Sequence, residues 1–106
     1  MKFGILIKTN EAEKAWNGVR FANASIQAGH EVRIFLMSSG VEIESITHEP
    51  FNVQAQLNAF HEAGGTVGCC GTCKRGRELS STEVCPIASM ADLIEMVTWA
   101  DRTLTF

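Results

Sequence analysis

Short apolar runs alternate with segments of helical periodicity along the whole chain. The first run, Phe3 to Ile7, contains no charged residue and is typical of a strand buried on both faces. A segment with apolar residues at helical spacing follows and stops at Gly29, and a second apolar run begins at residue 31. Strands separated by helices pair in parallel and need helices on both faces. The alternation therefore predicts an α/β fold with a mostly parallel sheet of about five strands.

The rest of the chain continues this alternation. Three more strands and three more helical segments are expected from periodicity and from glycine, proline and capping residues. In chain order they are helix 41–46, helix 52–63, strand 66–70, strand 84–88, helix 89–100 and strand 101–106. A chain of 106 residues has room for one hydrophobic core, so we expect a single domain over residues 1–106.

Charge and hydropathy exclude several classes of function. The 9 basic and 12 acidic residues are spread along the chain, so the net charge of −3 offers no patch for nucleic acid or an anionic membrane. No apolar stretch is long enough to span a bilayer, and the N-terminal run is too short for a signal peptide. We therefore expect a cytoplasmic protein, whose cysteines serve reactivity or packing rather than structural disulfides.

Three of the four cysteines lie in the segment 66–77. Cys70 stands where the predicted third strand ends and a helical turn begins, and Cys73 completes a C-x-x-C motif with it. N–H groups at such a turn and nearby cations both stabilise a thiolate. Three cations follow directly, namely Lys74, Arg75 and Arg77. We expect Cys70 to be a thiolate of low pKa, with Cys73 as its neighbour or substitute.

Two other segments are expected at the same edge of the sheet as Cys70. In parallel sheets, ligands bind beyond the carboxyl ends of the strands. Asn10 follows the first strand, where we expect it to cap the next helix, and Ser39 and Gly40 follow the second strand. These three residues are therefore candidates to line a substrate site together with the cations that follow Cys70.

The sequence resembles the DsrE/DsrF-like family of small sulfur-relay proteins, which includes the Tus sulfurtransferase subunits. The likeness rests on the opening strand–helix unit, on Ser39-Gly40-Val41 after the second strand, and on the helix start at residues 88–93. It also rests on Cys70, which falls where the family has its sulfur-accepting cysteine, and on Arg77, which falls where the family has an arginine.

The resemblance implies a flavodoxin-like three-layer sandwich and a function in sulfur relay. By this likeness, Cys70 accepts sulfane sulfur as a persulfide and passes it to a partner, which is a sulfurtransferase activity without a cofactor. The partners are then sulfur-donor and sulfur-acceptor proteins or small sulfur anions. The resemblance also implies a homo-oligomer, which we expect to be a trimer or a hexamer.

Two other functions stay open from the sequence. The C-x-x-C pair is compatible with a disulfide-active oxidoreductase, although thioredoxin-type folds place this motif after their first strand. The four cysteines would also suffice for a zinc or iron–sulfur site, but only one C-x-x-C is present. We expect Cys69 and Cys85 to pack in the core, and we expect no metal.

Overall fold

The computed structural model describes all 106 residues. Five strands, four α-helices and one 3₁₀ helix make up the fold. In chain order they are β1 (Lys2–Ile7), α1 (Ala12–Gln27), β2 (Glu31–Leu36), the 3₁₀ helix (Ser38–Ser45), α2 (Val53–Glu62), β3 (Thr66–Cys70), α3 (Gly71–Arg75), β4 (Ile87–Ala88), α4 (Met90–Trp99) and β5 (Arg102–Thr105). No helix is both long enough and apolar enough to cross a membrane.

The five strands form one sheet in the order β4-β3-β2-β1-β5, and every neighbouring pair is parallel. The predicted parallel sheet with helices on both faces is confirmed. The flavodoxin strand order is 2-1-3-4-5, so the likeness to that fold lies in the three layers rather than in the order of the strands. Since all strands run the same way, the carboxyl ends of β1, β2 and β3 meet at one edge.

The two faces of the sheet carry different numbers of helices. On one face, Gly18 of α1 packs against Ile7, and α2 lies beside α1, where Asn23 donates to the Gln56 carbonyl at 3.0 Å. On the other face, α4 lies over β1, where Gly4 leaves space for the side chain of Met96. The largest fully buried side chains are Phe60, Ile5, Ile7, Ile34, Leu36, Ile43 and Leu57.

The start of α1 differs from the expected capping. The side chain of Glu11, rather than that of Asn10, accepts hydrogen bonds from the backbone N–H groups of Glu13 and Lys14, each at 3.1 Å. The prediction that Asn10 caps this helix is therefore wrong. A carboxylate satisfies two free N–H groups at once and also complements the helix dipole, so Glu11 takes the position.

Two other element boundaries differ from the sequence expectation. The short helix expected over residues 41–46 is a 3₁₀ helix that begins three residues earlier, at Ser38. The strand expected over residues 84–88 contains only Ile87 and Ala88. Pro86 has no N–H to donate to a neighbouring strand, which is consistent with β4 being a short strand at the edge of the sheet.

Candidate functional site

β3 ends in two cysteines whose side chains lie on opposite faces of the sheet. Cys69 pairs in register with Leu36, so its side chain joins the face that carries α1 and α2, and it is fully buried. Cys70, the next residue, points to the face that carries α4 and keeps 8% of its surface exposed. The expectation that Cys69 packs in the core is confirmed.

Several groups near the sulfur of Cys70 favour its thiolate. They are the backbone N–H groups of Cys73 and Thr72, the thiol of Cys73 and the charge of the Arg75 guanidinium. Burial raises the pKa of the Cys70 thiol, but these donors and the Arg75 charge lower it by more, so the pKa lies below its ordinary value. Because α3 is only five residues long, the individual N–H groups matter more here than a helix dipole.

Cys70 opens into a cavity of about 390 Å³, a size that suits a small ligand. Its walls come from α3, β4 and the start of α4, and its residues besides Cys70 include Gly71, Arg75, Ile87, Ser89, Met90 and Asp92. Hydrogen bonds from the backbone and side chain of Ser89 lower the pKa of Asp92, so the cavity has a carboxylate as well as the Arg75 cation. A Cβ on Gly71 would stand 2.9 Å from Nη1 of Arg75, so the glycine leaves room for the guanidinium.

Cys73 also contacts the 3₁₀ helix. The backbone N–H of Ser38 donates to the Cys73 sulfur at 3.2 Å. Ser38 has a φ of 53°, in the left-handed region that non-glycine residues seldom adopt. Cys73 is half-buried, and it therefore remains within reach of small reagents while it contacts both Ser38 and Cys70.

The three cations that follow Cys70 in the sequence separate in the structure. Only Arg75 lines the cavity of Cys70. Lys74 is buried, and its ammonium donates to the carbonyls of Ser80 at 2.8 Å and Cys85 at 2.9 Å. Lys74 therefore fixes the loop that follows α3.

Arg77 does not line the Cys70 cavity and binds a residue of the 3₁₀ helix instead. Its Nε donates to Glu42 at 2.6 Å, and its Nη1 donates to the Cys73 carbonyl at 3.2 Å. Lys74 and Arg77 both border a larger cleft of about 760 Å³, but no cysteine lines that cleft. The larger opening therefore has no thiol for the expected sulfur chemistry.

Asn10, Ser39 and Gly40 lie at the carboxyl end of β1, as expected, but none of them lines the cavity of Cys70. Asn10 donates to Glu42 at 3.1 Å, and the Ser39 hydroxyl donates to the Lys8 carbonyl at 3.4 Å. Gly40 packs so closely on β1 that a Cβ there would stand 2.2 Å from the Ile7 carbonyl oxygen. A role for these three residues in substrate binding stays a prediction.

The four sulfurs form two separate pairs. Cys69 and Cys85 hydrogen-bond to each other inside the core, where both are almost completely buried. The hydrogen bond to Cys69 and burial both raise the pKa of the Cys85 thiol. Cys70 lies on the other face of β3, and Cys73 follows it in α3. No three or more of the cysteine, histidine and acidic side chains come together in a way that would hold a metal ion.

Two parts of the site were not found from the sequence. Ser38 acts through its backbone N–H, which every residue but proline has, so its side chain gave no signal. The wall that α4 contributes depends on how the helix crosses the sheet, although a helix was expected over residues 89–100. Glu42, which binds both Asn10 and Arg77, is the first charged residue after Gly40, and this position could have drawn attention to it.

The comparisons with known proteins cover the whole chain. The sequence profile of the DsrE/DsrF-like family matches residues 1–106. Uncharacterized protein MJ0989 of Methanocaldococcus jannaschii is 34% identical, and the alignment covers 100% of both chains. Protein YchN of Escherichia coli K12 is 29% identical over 103 residues, covering 90% of this chain and 88% of YchN.

The solved structures agree with the sequence relatives. The crystal structure of YchN from E. coli superposes with a TM-score of 0.83 at 26% identity, and all of both chains is covered. BT1422 of Bacteroides thetaiotaomicron superposes with a TM-score of 0.79, over 99% of this chain and 94% of that one. At 18% identity, BT1422 supports the fold alone. The match over the full length in sequence and the agreement in fold lead to one conclusion: the chain belongs to the DsrE/DsrF-like family.

Proposed function

We propose that this protein is a small cytoplasmic sulfur carrier of the sulfurtransferase type, which accepts sulfane sulfur on Cys70 and passes it to a partner. In the loading step, the Cys70 thiolate attacks the outer sulfur of a donor persulfide. The bond between Cys70 and that sulfur forms as the donor S–S bond breaks, and the donor leaves as a thiolate. The product is a persulfide anion on Cys70.

The environment of Cys70 is the observation that carries this proposal. A nucleophilic thiol must be ionised near neutral pH, and the donors from Thr72 and Cys73 together with Arg75 favour the thiolate. The persulfide that forms is also an anion, so the same cation favours the loaded state. The cavity of about 390 Å³ has room for the added sulfur and for a small sulfur anion as donor.

Sulfur transfer between proteins requires that a partner reach Cys70. Three apolar side chains of α4 are exposed, and Met90 among them lines the cavity: 53% of Met90, 64% of Ile94 and 51% of Val97 are exposed. Their spacing places them on one side of the helix. We propose that this apolar face of α4 supports association of the chain with itself, as a trimer or hexamer, and that donor and acceptor proteins approach the open cavity.

The test uses the purified full chain and inorganic polysulfide as the probe. When excess reagent is removed and the chain is alkylated at once after loading, intact mass and peptide mapping are expected to show one added sulfur on the peptide with Cys70. Cys70→Ser is expected to lose this modification, whereas Cys85→Ala, which removes a thiol from the core, is expected to keep it. Sulfur that maps to Cys73 or Cys85 while Cys70 stays unmodified would refute the proposal.

A further inference from the structure

Cys73 is placed to react with Cys70 as well as to stabilise it. The two residues are three apart on the turn from β3 into α3, and the Cys73 thiol is one of the groups that favour the Cys70 thiolate. The Ser38 N–H donates to the Cys73 sulfur at 3.2 Å and would stabilise negative charge on it. Carrying sulfur needs only one thiol, so the arrangement of the second one is not explained by the carrier function.

We infer that Cys73 discharges the Cys70 persulfide inside the same chain, so that the loaded protein releases hydrosulfide and ends as a Cys70–Cys73 disulfide. This inference rests on the proposed loading of Cys70. The bound sulfur then has two possible outcomes. It passes to an acceptor protein, or, when no acceptor takes it, it is reduced and released as hydrosulfide.

The reaction balances in atoms and in charge. The Cys73 sulfur attacks the inner sulfur of the persulfide, which is the Sγ atom of Cys70. The bond between the two cysteine sulfurs forms as the bond to the outer sulfur breaks. The outer sulfur leaves with the electron pair and takes the thiol proton of Cys73, which gives HS⁻. The sulfane sulfur is thereby reduced and the two cysteines are oxidised, and a dithiol reductant returns both to thiols.

The surrounding structure favours Cys73 over the other two cysteines for this step. Cys69 lies on the opposite face of β3 from Cys70, and Cys85 pairs with Cys69 in the core. Cys73 is half-buried and close to the cavity, so its attack needs no unfolding of the core. Two thiols held near each other react much faster than the same thiols on separate molecules.

The experiment follows hydrosulfide after loading. Reduced full chain is mixed with inorganic polysulfide, passed through a desalting column, and then assayed for released hydrosulfide and for intact mass over time. For the wild type we expect about one equivalent of hydrosulfide per chain, a rate independent of protein concentration, and a disulfide that maps to Cys70 and Cys73. Dithiothreitol is expected to restore the capacity for a second round.

Cys73→Ser and Cys73→Ala test the role of the second thiol, and Cys85→Ala is the matched control. In both Cys73 variants the persulfide is expected to remain on Cys70, with hydrosulfide release slower by about tenfold or more. Cys85→Ala is expected to release hydrosulfide as the wild type does. Two variants are used at Cys73 so that one that folds poorly does not decide the result.

The possible outcomes separate this inference from the proposed function. If the wild type holds its persulfide as long as the Cys73 variants do, the inferred discharge by Cys73 is refuted and the proposed carrier function stands. If no variant takes up sulfur on Cys70, both are overturned. If hydrosulfide release depends on protein concentration, discharge occurs between chains and the intramolecular step is refuted.

Discussion

Basic residues at the end of α3 and just after it make different contacts at this site. Lys74 is buried beneath the loop after α3, whereas Arg75 lies beside Cys70. Arg77 binds Glu42 on the 3₁₀ helix. Successive residues of a helix point about 100° apart, which follows from 3.6 residues per turn, so a run of basic residues cannot all face one thiol. Of the three, Arg75 is the cation that favours the Cys70 thiolate.

Replacement of Arg75 by glutamine is expected to raise the pKa of Cys70, because the positive charge that favours the thiolate is lost. The rate of alkylation of Cys70, followed by peptide mass across a pH series, is expected to reach half of its maximum at a higher pH than in the wild type. Added salt is expected to bring the pH of half-maximal alkylation in the two proteins closer together, since Arg75 is exposed and its charge is screened.

Arg77→Gln is the matched control for this measurement. It removes the same charge two residues away, but its guanidinium is bound to Glu42. We expect the pH profile of Cys70 alkylation to stay close to that of the wild type. Equal shifts in the two variants would mean that the general charge of the segment matters rather than the position of Arg75.

At the scale of elements, the 3₁₀ helix connects the ends of three strands. It follows β2, its Gly40 packs on the last residue of β1, and its Ser38 holds Cys73 in α3 beyond β3. The contact with β1 depends on the absence of a side chain at residue 40. The 3₁₀ helix that carries the Ser38 N–H therefore depends for its position on the backbone contact between Gly40 and β1.

Gly40→Ala is expected to destabilise the fold by about 1–3 kcal/mol, because the new Cβ would overlap backbone atoms that cannot move freely. Gly76→Ala is the control. Gly76 has a φ of −61°, and its nearest neighbour to a new Cβ is 3.4 Å away. We expect that change to be neutral or stabilising by up to about 1 kcal/mol. Denaturant unfolding measures both, and equal stability of the two variants would refute the role given to Gly40.

The sequence predicted the elements better than their ends. The long apolar periodicity predicted the bounds of α1, α2 and α4 to within a residue or two, because each helix has a continuous apolar side to bury. The cap of α1 was assigned to Asn10, although Glu11 was the next residue and proved to be the cap. Capping depends on backbone angles at single residues, and many side chains are able to accept the same hydrogen bond.

At the scale of the molecule, the alternation of strands and helices was enough to predict the parallel sheet and its layers. It also predicted that the ends of β1, β2 and β3 meet at one edge. It could not predict which side chains turn towards Cys70 there, since that depends on how α3, α4 and the 3₁₀ helix cross the sheet. The contribution of Arg75 and the separation of Lys74 and Arg77 are consequences of these crossings.

The uneven covering of the sheet leads to the last prediction. Two helices, α1 and α2, cover one face, but α4 alone covers the other and leaves 64% of Ile94 exposed. Burial of an isoleucine contributes about 1.5–3 kcal/mol, so loss of this side chain from an interface is expected to weaken association by tenfold or more.

Ile94→Lys is therefore expected to shift the proposed oligomer towards the monomer in light scattering after gel filtration, with the folded circular dichroism spectrum retained. Asn58→Lys places the same charge on an exposed position of α2, on the opposite face, and is expected to leave the assembly unchanged. Because α4 also borders the cavity of Cys70, loading with polysulfide is measured on both variants. An Ile94→Lys protein that assembles as the wild type does would exclude this face as the interface, and an oligomer lost in both variants would point to a general effect of charge.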